Sequence, residues 1–160
     1  MDKMTELEAD VLVVGAGPTG LMLANQLVRR GVRVRIIDRH AGPSLQTRAL
    51  GVQARTLEIY AKLGVVDEAL RLGAKGNAAN MWTNGRWSAR IPIGDIGRDL
   101  SPYPFVLMLG QDDNERILGA RLKSLGVDVS WNTELVGLKQ HHHDVVVMLR
   151  DGSGNGRELR

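Results

Sequence analysis

A glycine-rich turn, followed 18 residues later by a carboxylate, is the part of this sequence whose residue types and spacing can do chemistry. The stretch Gly15-Ala16-Gly17-Pro18-Thr19-Gly20 has the spacing G-x-G-x-x-G. In such a turn the first glycine permits a tight bend, the second lets the backbone approach a pyrophosphate, and the third lets the helix lie close to the strand. The pattern is a weak signal when it stands alone, so its value depends on the flanking residues.

The flanking acid is Asp38, which ends the predicted second strand. A carboxylate at that position accepts hydrogen bonds from both hydroxyls of an adenosine ribose, while the pyrophosphate lies at the positive end of the helix that starts at Pro18. A simple strand-to-helix turn does not require an acid at this spacing. Because a carboxylate repels a 2′-phosphate, FAD or NAD fits this turn better than NADP, and the adjacent Arg39 is the one argument for NADP.

The elements around this turn form a β-α-β unit over 9–38. The apolar run Val11 to Val14 is typical of a buried parallel strand. Helical spacing of apolar residues predicts a helix over 18–30, and Gly31 is placed to end it. The second strand, 32–38, alternates apolar and basic residues, so we expect it to be less evenly buried than the first.

The rest of the chain alternates between helical and strand patterns. Apolar spacing predicts a helix over 52–63 that Gly64 ends, and a short helical turn capped by Asp67. Glycine and proline are frequent over 73–104, which indicates short strands and turns. Beyond residue 104 we expect a helix over 112–125 that Gly126 ends. Four short strands are expected after it: 127–131, 134–140, 145–150 and a last one at Arg157.

Composition excludes several classes of protein. The chain has 160 residues, is 43% hydrophobic and lacks cysteine, which rules out disulfides and a cysteine nucleophile. No apolar run is long enough to span a membrane and no secretory leader is recognisable, so we expect a cytoplasmic protein. The net charge of +3 is spread along the chain and aromatic residues make up 4%, so we expect no nucleic-acid partner.

The segment 10–63 resembles the start of the class A FAD-dependent aromatic monooxygenases, the family of para-hydroxybenzoate hydroxylase. The resemblance rests on the glycine turn, on Ile37-Asp38-Arg39, on SLQTRALG at 44–51 and on RTLE at 55–58. The last two segments are most similar to aromatic polyketide and phenolic hydroxylases. Gln111 followed by ERIL at 115–118 is similar to a second segment of the family.

The resemblance implies a chemistry and a set of contacts. In the family, NADPH or NADH reduces FAD, O2 adds to give a flavin C4a-hydroperoxide, and an oxygen atom is transferred to an aromatic substrate. Because the cofactor supplies this chemistry, we expect no catalytic residue and no metal ligand in the chain. The FAD-contacting positions that it implies are Gly15, Ala16, Gly17, Pro18, Thr19, Gly20, Asp38, Arg39, Arg48 and Gln111.

The implied fold is α/β: a Rossmann-like, glutathione-reductase-like FAD-binding domain with a β-meander and a small inserted strand segment. Residues 1–75 form its first part, 76–104 are strands of a substrate-side domain, and 105–160 form its second part. The family's later Asp-Gly and Gly-Asp motifs are not in the sequence, so we expect an incomplete domain that is inactive alone. The oligomeric state is left open.

Two alternative functions and two local features stay open. The chain can belong to an FAD-dependent oxidoreductase that inserts no oxygen, or be a non-catalytic nucleotide-binding fragment. His141-His142-His143-Asp144 is interpreted as an exposed hairpin turn, since consecutive strand residues point to opposite faces and rarely share a metal ion. Trp82, Trp87 and Trp131 are expected to pack in cores, with an aromatic-substrate pocket as the alternative.

Overall fold

The structure is a computed structural model that describes residues 9–44, 51–94 and 97–160. The chain divides into two compact units, one of residues 1–44 with 118–160 and one of residues 45–117. In chain order the elements are β1 (Val11–Val14), α1 (Pro18–Val28), β2 (Val34–Ile37), β3 (Gly51–Val52), α2 (Ala54–Leu63), α3 (Val66–Leu72), β4 (Ala74–Gly76), β5 (Ala78–Thr83), β6 (Arg86–Pro92), β7 (Val106–Met108), α4 (Gln111–Ser124), β8 (Val129–Ser130), β9 (Thr133–Gln140), β10 (Val145–Asp151) and β11 (Gly156–Leu159).

A parallel sheet of order β1-β2-β8 forms the centre of the first unit. The expectation that β2 is less evenly buried than β1 is wrong. Ile36 and Ile37 are fully buried, because β2 is the middle strand and has a neighbour on both sides. The alternating arginines of this segment therefore do not mark an exposed strand.

Helix α1 packs beside this sheet, as the apolar spacing predicts, through the buried Leu21 and Ala24. It ends two residues before the predicted Arg30, and Gly31 follows with φ +79°, a conformation that glycine adopts without strain. Asn25 is also buried, and its amide donates to the carbonyl oxygens of Leu21 at 2.9 Å and Leu118 at 3.0 Å. This side chain ties α1 to the part of α4 that belongs to the same unit.

The predicted β-meander follows, with antiparallel strands in the order β11-β10-β9. Val147, Leu149 and Leu159 of this sheet form a buried cluster with Ile37 of β2. The meander therefore packs against the end of the parallel sheet where β2 ends at Ile37, directly before Asp38.

The second unit contains an antiparallel sheet of order β3-β7-β4 and a separate hairpin, β5-β6. Helix α2 ends at Leu63, and Gly64 caps it with φ +79°, as predicted. Helix α3 starts one residue before Asp67, with Val65 at the N-cap, so Asp67 is not the cap that we expected. It lies instead in the first turn, where its negative charge still favours the helix dipole.

The domain boundaries predicted at 75/76 and 104/105 differ from this division into two units, and the assignment of 76–104 to a substrate-side domain stays a prediction. None of the helices in the described ranges has the length and apolar character that a bilayer crossing requires.

Candidate nucleotide-binding site

The glycine turn connects β1 to α1, and two of its glycines have a measurable reason to be glycine. Gly15 has φ +101°, which other residues rarely adopt. A Cβ on Gly20 would lie 1.9 Å from the carbonyl oxygen of Gly15 and 3.4 Å from Cγ1 of Val13. The third glycine of the pattern therefore allows the close approach of helix and strand that its spacing predicts.

The amino-terminus of α1 is built to receive an anion. Gly17 is the N-cap, Pro18 fills the first helical position, and no side chain caps the helix. The first backbone N–H groups of a helix have no partner within it, and the helix dipole places partial positive charge there. Phosphate oxygens can satisfy such N–H groups, and Gly17, Pro18 and Thr19 stay predicted pyrophosphate contacts.

Asp38 follows β2 directly and its carboxylate faces the glycine turn. The backbone N–H of Ala16 donates to Oδ2 at 2.7 Å, and the backbone N–H of His40 donates to Oδ1 at 2.9 Å. Nδ1 of His40 lies 2.8 Å from the same Oδ1. Each carboxylate oxygen can accept about two hydrogen bonds, so Oδ2, with one donor, keeps capacity for a ribose hydroxyl, whereas Oδ1 already has two donors.

The electrostatic environment keeps this carboxylate charged. Burial acts to raise the pKa of Asp38, whose side chain is 13% exposed, but hydrogen bonds from Ala16 and His40 outweigh it. The net effect lowers the pKa of Asp38 below its ordinary value of 3.8. An ionised carboxylate accepts hydrogen bonds more strongly than a protonated one, as a ribose-binding group must.

Two clefts border Asp38 and the residues after it. The first, of about 400 Å³, lies between the end of β1, the turn 38–40 and the start of β9 at Thr133 to Leu135. The second, of about 380 Å³, shares Arg39, His40 and Glu134 with the first. Both clefts are open at the surface. The first adjoins Gly15 as well as Asp38, so it has room for a nucleoside beside this carboxylate.

Strand β9 reaches this site through backbone hydrogen bonds. The N–H of Asn132 donates to the carbonyl of His40 at 2.8 Å, and the N–H of Thr133 donates to the carbonyl of Asp38 at 2.8 Å. Sequence reasoning missed His40 and the start of β9 as parts of the site. The pairing of β2 with β8 helps to bring these segments together, and the local sequence does not predict that pairing.

The predicted site residues separate into three groups. The first group lies at the first cleft and consists of Gly15, Asp38 and Arg39, with Ala16 bonded to Asp38. The start of α1 follows Ala16 directly in the chain. Gln111 starts α4 in the second unit, where its Nε2 donates to Oε1 of the buried Glu115 at 2.8 Å, and its contact with a cofactor stays a prediction. Arg48 lies outside the described residues.

The structure also tests other features that the sequence singled out. The N–H of His141 donates to the carbonyl of Asp144 at 2.8 Å in an exposed turn, so the hairpin interpretation is confirmed. Within the described ranges no group of three metal-ligating side chains comes together. The expectation that the tryptophans pack in cores is wrong for Trp82 and Trp87, which are 65% and 59% exposed on the β5-β6 hairpin.

The fold and the site together define a dinucleotide-binding α/β domain. The chain belongs to the FAD binding domain family, whose model matches residues 8–160. The fit is visible in the uncapped start of α1, the close approach at Gly20 and the partly unsatisfied carboxylate of Asp38.

Two relatives to which the chain is similar are named as monooxygenases. It is 45% identical over 131 residues to 6-methylpretetramide 4-monooxygenase of Streptomyces rimosus, covering 80% of this chain and 23% of the relative. It is 32% identical over 155 residues to pentachlorophenol 4-monooxygenase of Sphingobium chlorophenolicum, covering 95% of this chain and 28% of the relative. The resemblance to this class, inferred from the sequence, is confirmed.

A solved structure supports the same fold. The ternary complex of aklavinone-11 hydroxylase with FAD and aklavinone superposes with a TM-score of 0.84 at 32% identity, over 98% of this chain and 32% of the other. The predicted FAD-binding fold is therefore confirmed. The chain spans less than a third of the length of each of these three proteins.

Proposed function

We propose that this chain is the FAD-binding portion of a flavin-dependent monooxygenase that hydroxylates an aromatic or polyketide substrate with O2. The observation that carries the nucleotide half of the proposal is the ionised Asp38, held by Ala16 next to the uncapped start of α1. The names of the relatives support the reaction class.

The residues of this chain act on the adenosine diphosphate half of the cofactor. Asp38 accepts hydrogen bonds from the two ribose hydroxyls, and the first N–H groups of α1 bind the pyrophosphate. Arg39 and the start of β9 line the cleft for the adenine. Arg48 and Gln111 are proposed as further FAD contacts, because a guanidinium pairs with phosphate oxygens and an amide both donates and accepts.

Bound FAD supplies the redox and oxygen-transfer chemistry, and NADPH or NADH is proposed as its reductant. The side chains of this chain then bind and orient the cofactor, and none is assigned to a bond-making step. The cytoplasmic location predicted from composition also stays a proposal.

The β5-β6 hairpin is proposed as part of the substrate-side domain. Both of its faces are exposed, and its apolar side chains include Met81, Trp82, Trp87 and Ile91. A two-stranded hairpin is marginally stable in water unless another element packs on it. These properties support a role in a larger sheet next to an aromatic substrate.

The nucleotide half of the proposal is tested by titration calorimetry of the 160-residue chain with FAD, ADP and 2′-deoxy-ADP. We expect Asp38→Ala to weaken ADP binding roughly ten- to hundred-fold, because a charged acceptor for the ribose is lost. Removal of the 2′-hydroxyl weakens binding to the natural chain but has little further effect on Asp38→Ala. Asp128→Asn, at an exposed acid of the same unit, is the matched control. Equal affinity of both variants for ADP would contradict the assignment.

The monooxygenase half requires a chain extended to the length of the relatives. We expect such a protein to be yellow, to oxidise NADPH or NADH faster with an aromatic substrate, and to place an atom of labelled O2 in the product. Oxidation of the reductant without incorporation of label indicates an FAD oxidoreductase that inserts no oxygen and refutes the hydroxylase assignment.

A further inference from the structure

The carboxylate of Asp38 is held from two directions by groups of different origin. Oδ2 accepts from the backbone of Ala16, whereas Oδ1 faces both the backbone N–H and the imidazole Nδ1 of His40. A nitrogen 2.8 Å from a carboxylate oxygen has to carry a proton, because two lone pairs at that distance repel. The imidazole therefore donates to Oδ1, which leaves the free acceptor site of Oδ2 for a ribose hydroxyl.

The backbone of His40 is fixed without its side chain. Its carbonyl accepts from the N–H of Asn132 at 2.8 Å, and its own N–H donates to Asp38. The side chain is 68% exposed, so its removal leaves no cavity. The contact between imidazole and carboxylate can thus be deleted without disturbing the turn, which separates its effect from a general structural one.

Other charges face His40 across the two clefts. Arg39 lies next to it on the turn, Glu134 comes from β9, and Arg150 and Asp151 come from the end of β10. Glu134 pairs with Arg150 at 2.7 Å, and Asp151 accepts from the N–H groups of Ser153 and Asn155 at 2.9 Å. These two acids are thus engaged locally, and the acid in hydrogen-bond contact with the imidazole is Asp38.

We propose that His40 is a positioning residue for nucleotide binding: its imidazole holds the Asp38 carboxylate, through Oδ1, in the orientation that accepts the ribose hydroxyls. The inference rests on the proposed function, since it concerns the same ribose-binding acid. His40 acts through Asp38 and needs no contact with the nucleotide.

A pH dependence of binding follows from this arrangement. The hydrogen bond from the imidazole to Oδ1 favours the charged form of the Asp38 carboxylate over its protonated form. Both the hydrogen bond and the charge of His40 lower the pKa of Asp38. Without the imidazole that pKa rises, and the carboxylate loses its charge at a higher pH.

The test measures ADP affinity by calorimetry from about pH 8 down to about pH 4.5, the range in which carboxylates begin to protonate. The variants are His40→Ala, His40→Asn, which keeps a donor without a charge, and His141→Ala, an exposed histidine on the β9-β10 turn of the same unit as control. Ratios of variant to natural affinity cancel the ionisation of ADP itself. Circular dichroism at each pH confirms that all chains remain folded.

We expect His40→Ala to bind about five-fold more weakly at neutral pH, the effect of one lost hydrogen bond, and to lose further affinity as the pH falls. His40→Asn recovers affinity at neutral pH but keeps the steeper loss in acid, and His141→Ala follows the natural chain. A loss that is the same at every pH indicates direct contact with ADP and overturns the proposal, as does an unchanged profile. If the natural chain binds no ADP, the proposed function fails as well.

Discussion

Gly20 of the glycine-rich turn has no room for a side chain. An added Cβ would lie 1.9 Å from the carbonyl oxygen of Gly15, which is backbone and cannot rotate away. Helix α1 and the turn would therefore have to separate, and the separation would move the N–H groups proposed to bind the pyrophosphate. Both the stability of the fold and the proposed ligand binding therefore require that residue 20 has no Cβ.

We expect Gly20→Ala to lower the free energy of unfolding by at least about 3 kcal/mol and to abolish ADP binding, because overpacking against backbone has no side-chain relief. Gly119→Ala is the matched control in α4, where an added Cβ meets nothing within 4 Å. It should raise stability by about 0.5–1 kcal/mol, the usual helix preference for alanine over glycine. Urea denaturation measures both, and similar stabilities of the two variants would refute the packing argument.

The placement of candidate site residues was predictable where it depends on local spacing. The glycines and Asp38 lie within one β-α-β unit, so their order along the chain determines their geometry. His40 and the start of β9 were not predictable, because they meet through strand pairing between segments about ninety residues apart. A residue such as Gln111 was recognised only through its resemblance to a family segment.

The same distinction holds for whole elements. Helix ends at Gly64 and Gly126 were predictable, because a glycine with positive φ ends a helix through backbone conformation alone. Burial was less predictable, because it depends on neighbours from distant parts of the chain. β2 is more buried than its alternating sequence suggests, and the β5-β6 hairpin is more exposed than its tryptophans suggest.

The exposed hairpin gives a prediction at the scale of an element. Among the described residues its two strands pair with each other and with no further strand, and no side chain of β6 is buried. In the 160-residue chain we expect its backbone N–H groups to exchange with solvent much faster than those of β1 and β2, because local opening exposes little apolar surface. Hydrogen exchange followed by mass spectrometry compares the two regions. Protection of β5-β6 equal to that of β1-β2 would show that another element covers the hairpin in solution.

At the scale of the whole molecule, the free energy of unfolding in acid depends on carboxylates that accept hydrogen bonds or form ion pairs in the folded chain. Hydrogen bonds and charge pairs lower the pKa of several acids in the described ranges: Asp10 and Glu68 beside arginines, Glu58 beside Arg55 and Ser101, Glu134 beside Arg150, and Asp151 beside the backbone N–H of Asn155. The pKa of Asp38 is lowered as well, against the effect of its burial. All of these groups release protons more readily in the folded chain than in the unfolded one.

The direction of the pH effect follows from that difference. A carboxyl whose pKa is depressed by folding contributes stability that is fully present above its unfolded value, near 3.8 for Asp38, and lost as the pH falls through the folded value. We expect the free energy of unfolding to decline below about pH 5. Salt screens exposed ion pairs such as Asp10 with Arg33, whereas the partly buried Asp38 keeps its hydrogen bonds, so Asp38 contributes to the decline that remains in about 0.5 M NaCl. Under those conditions Asp38→Asn should flatten the acid limb of urea unfolding, whereas Asp10→Asn should leave it unchanged. If the free energy of unfolding of Asp38→Asn falls with pH as steeply as that of the natural chain, the turn does not hold this carboxylate ionised.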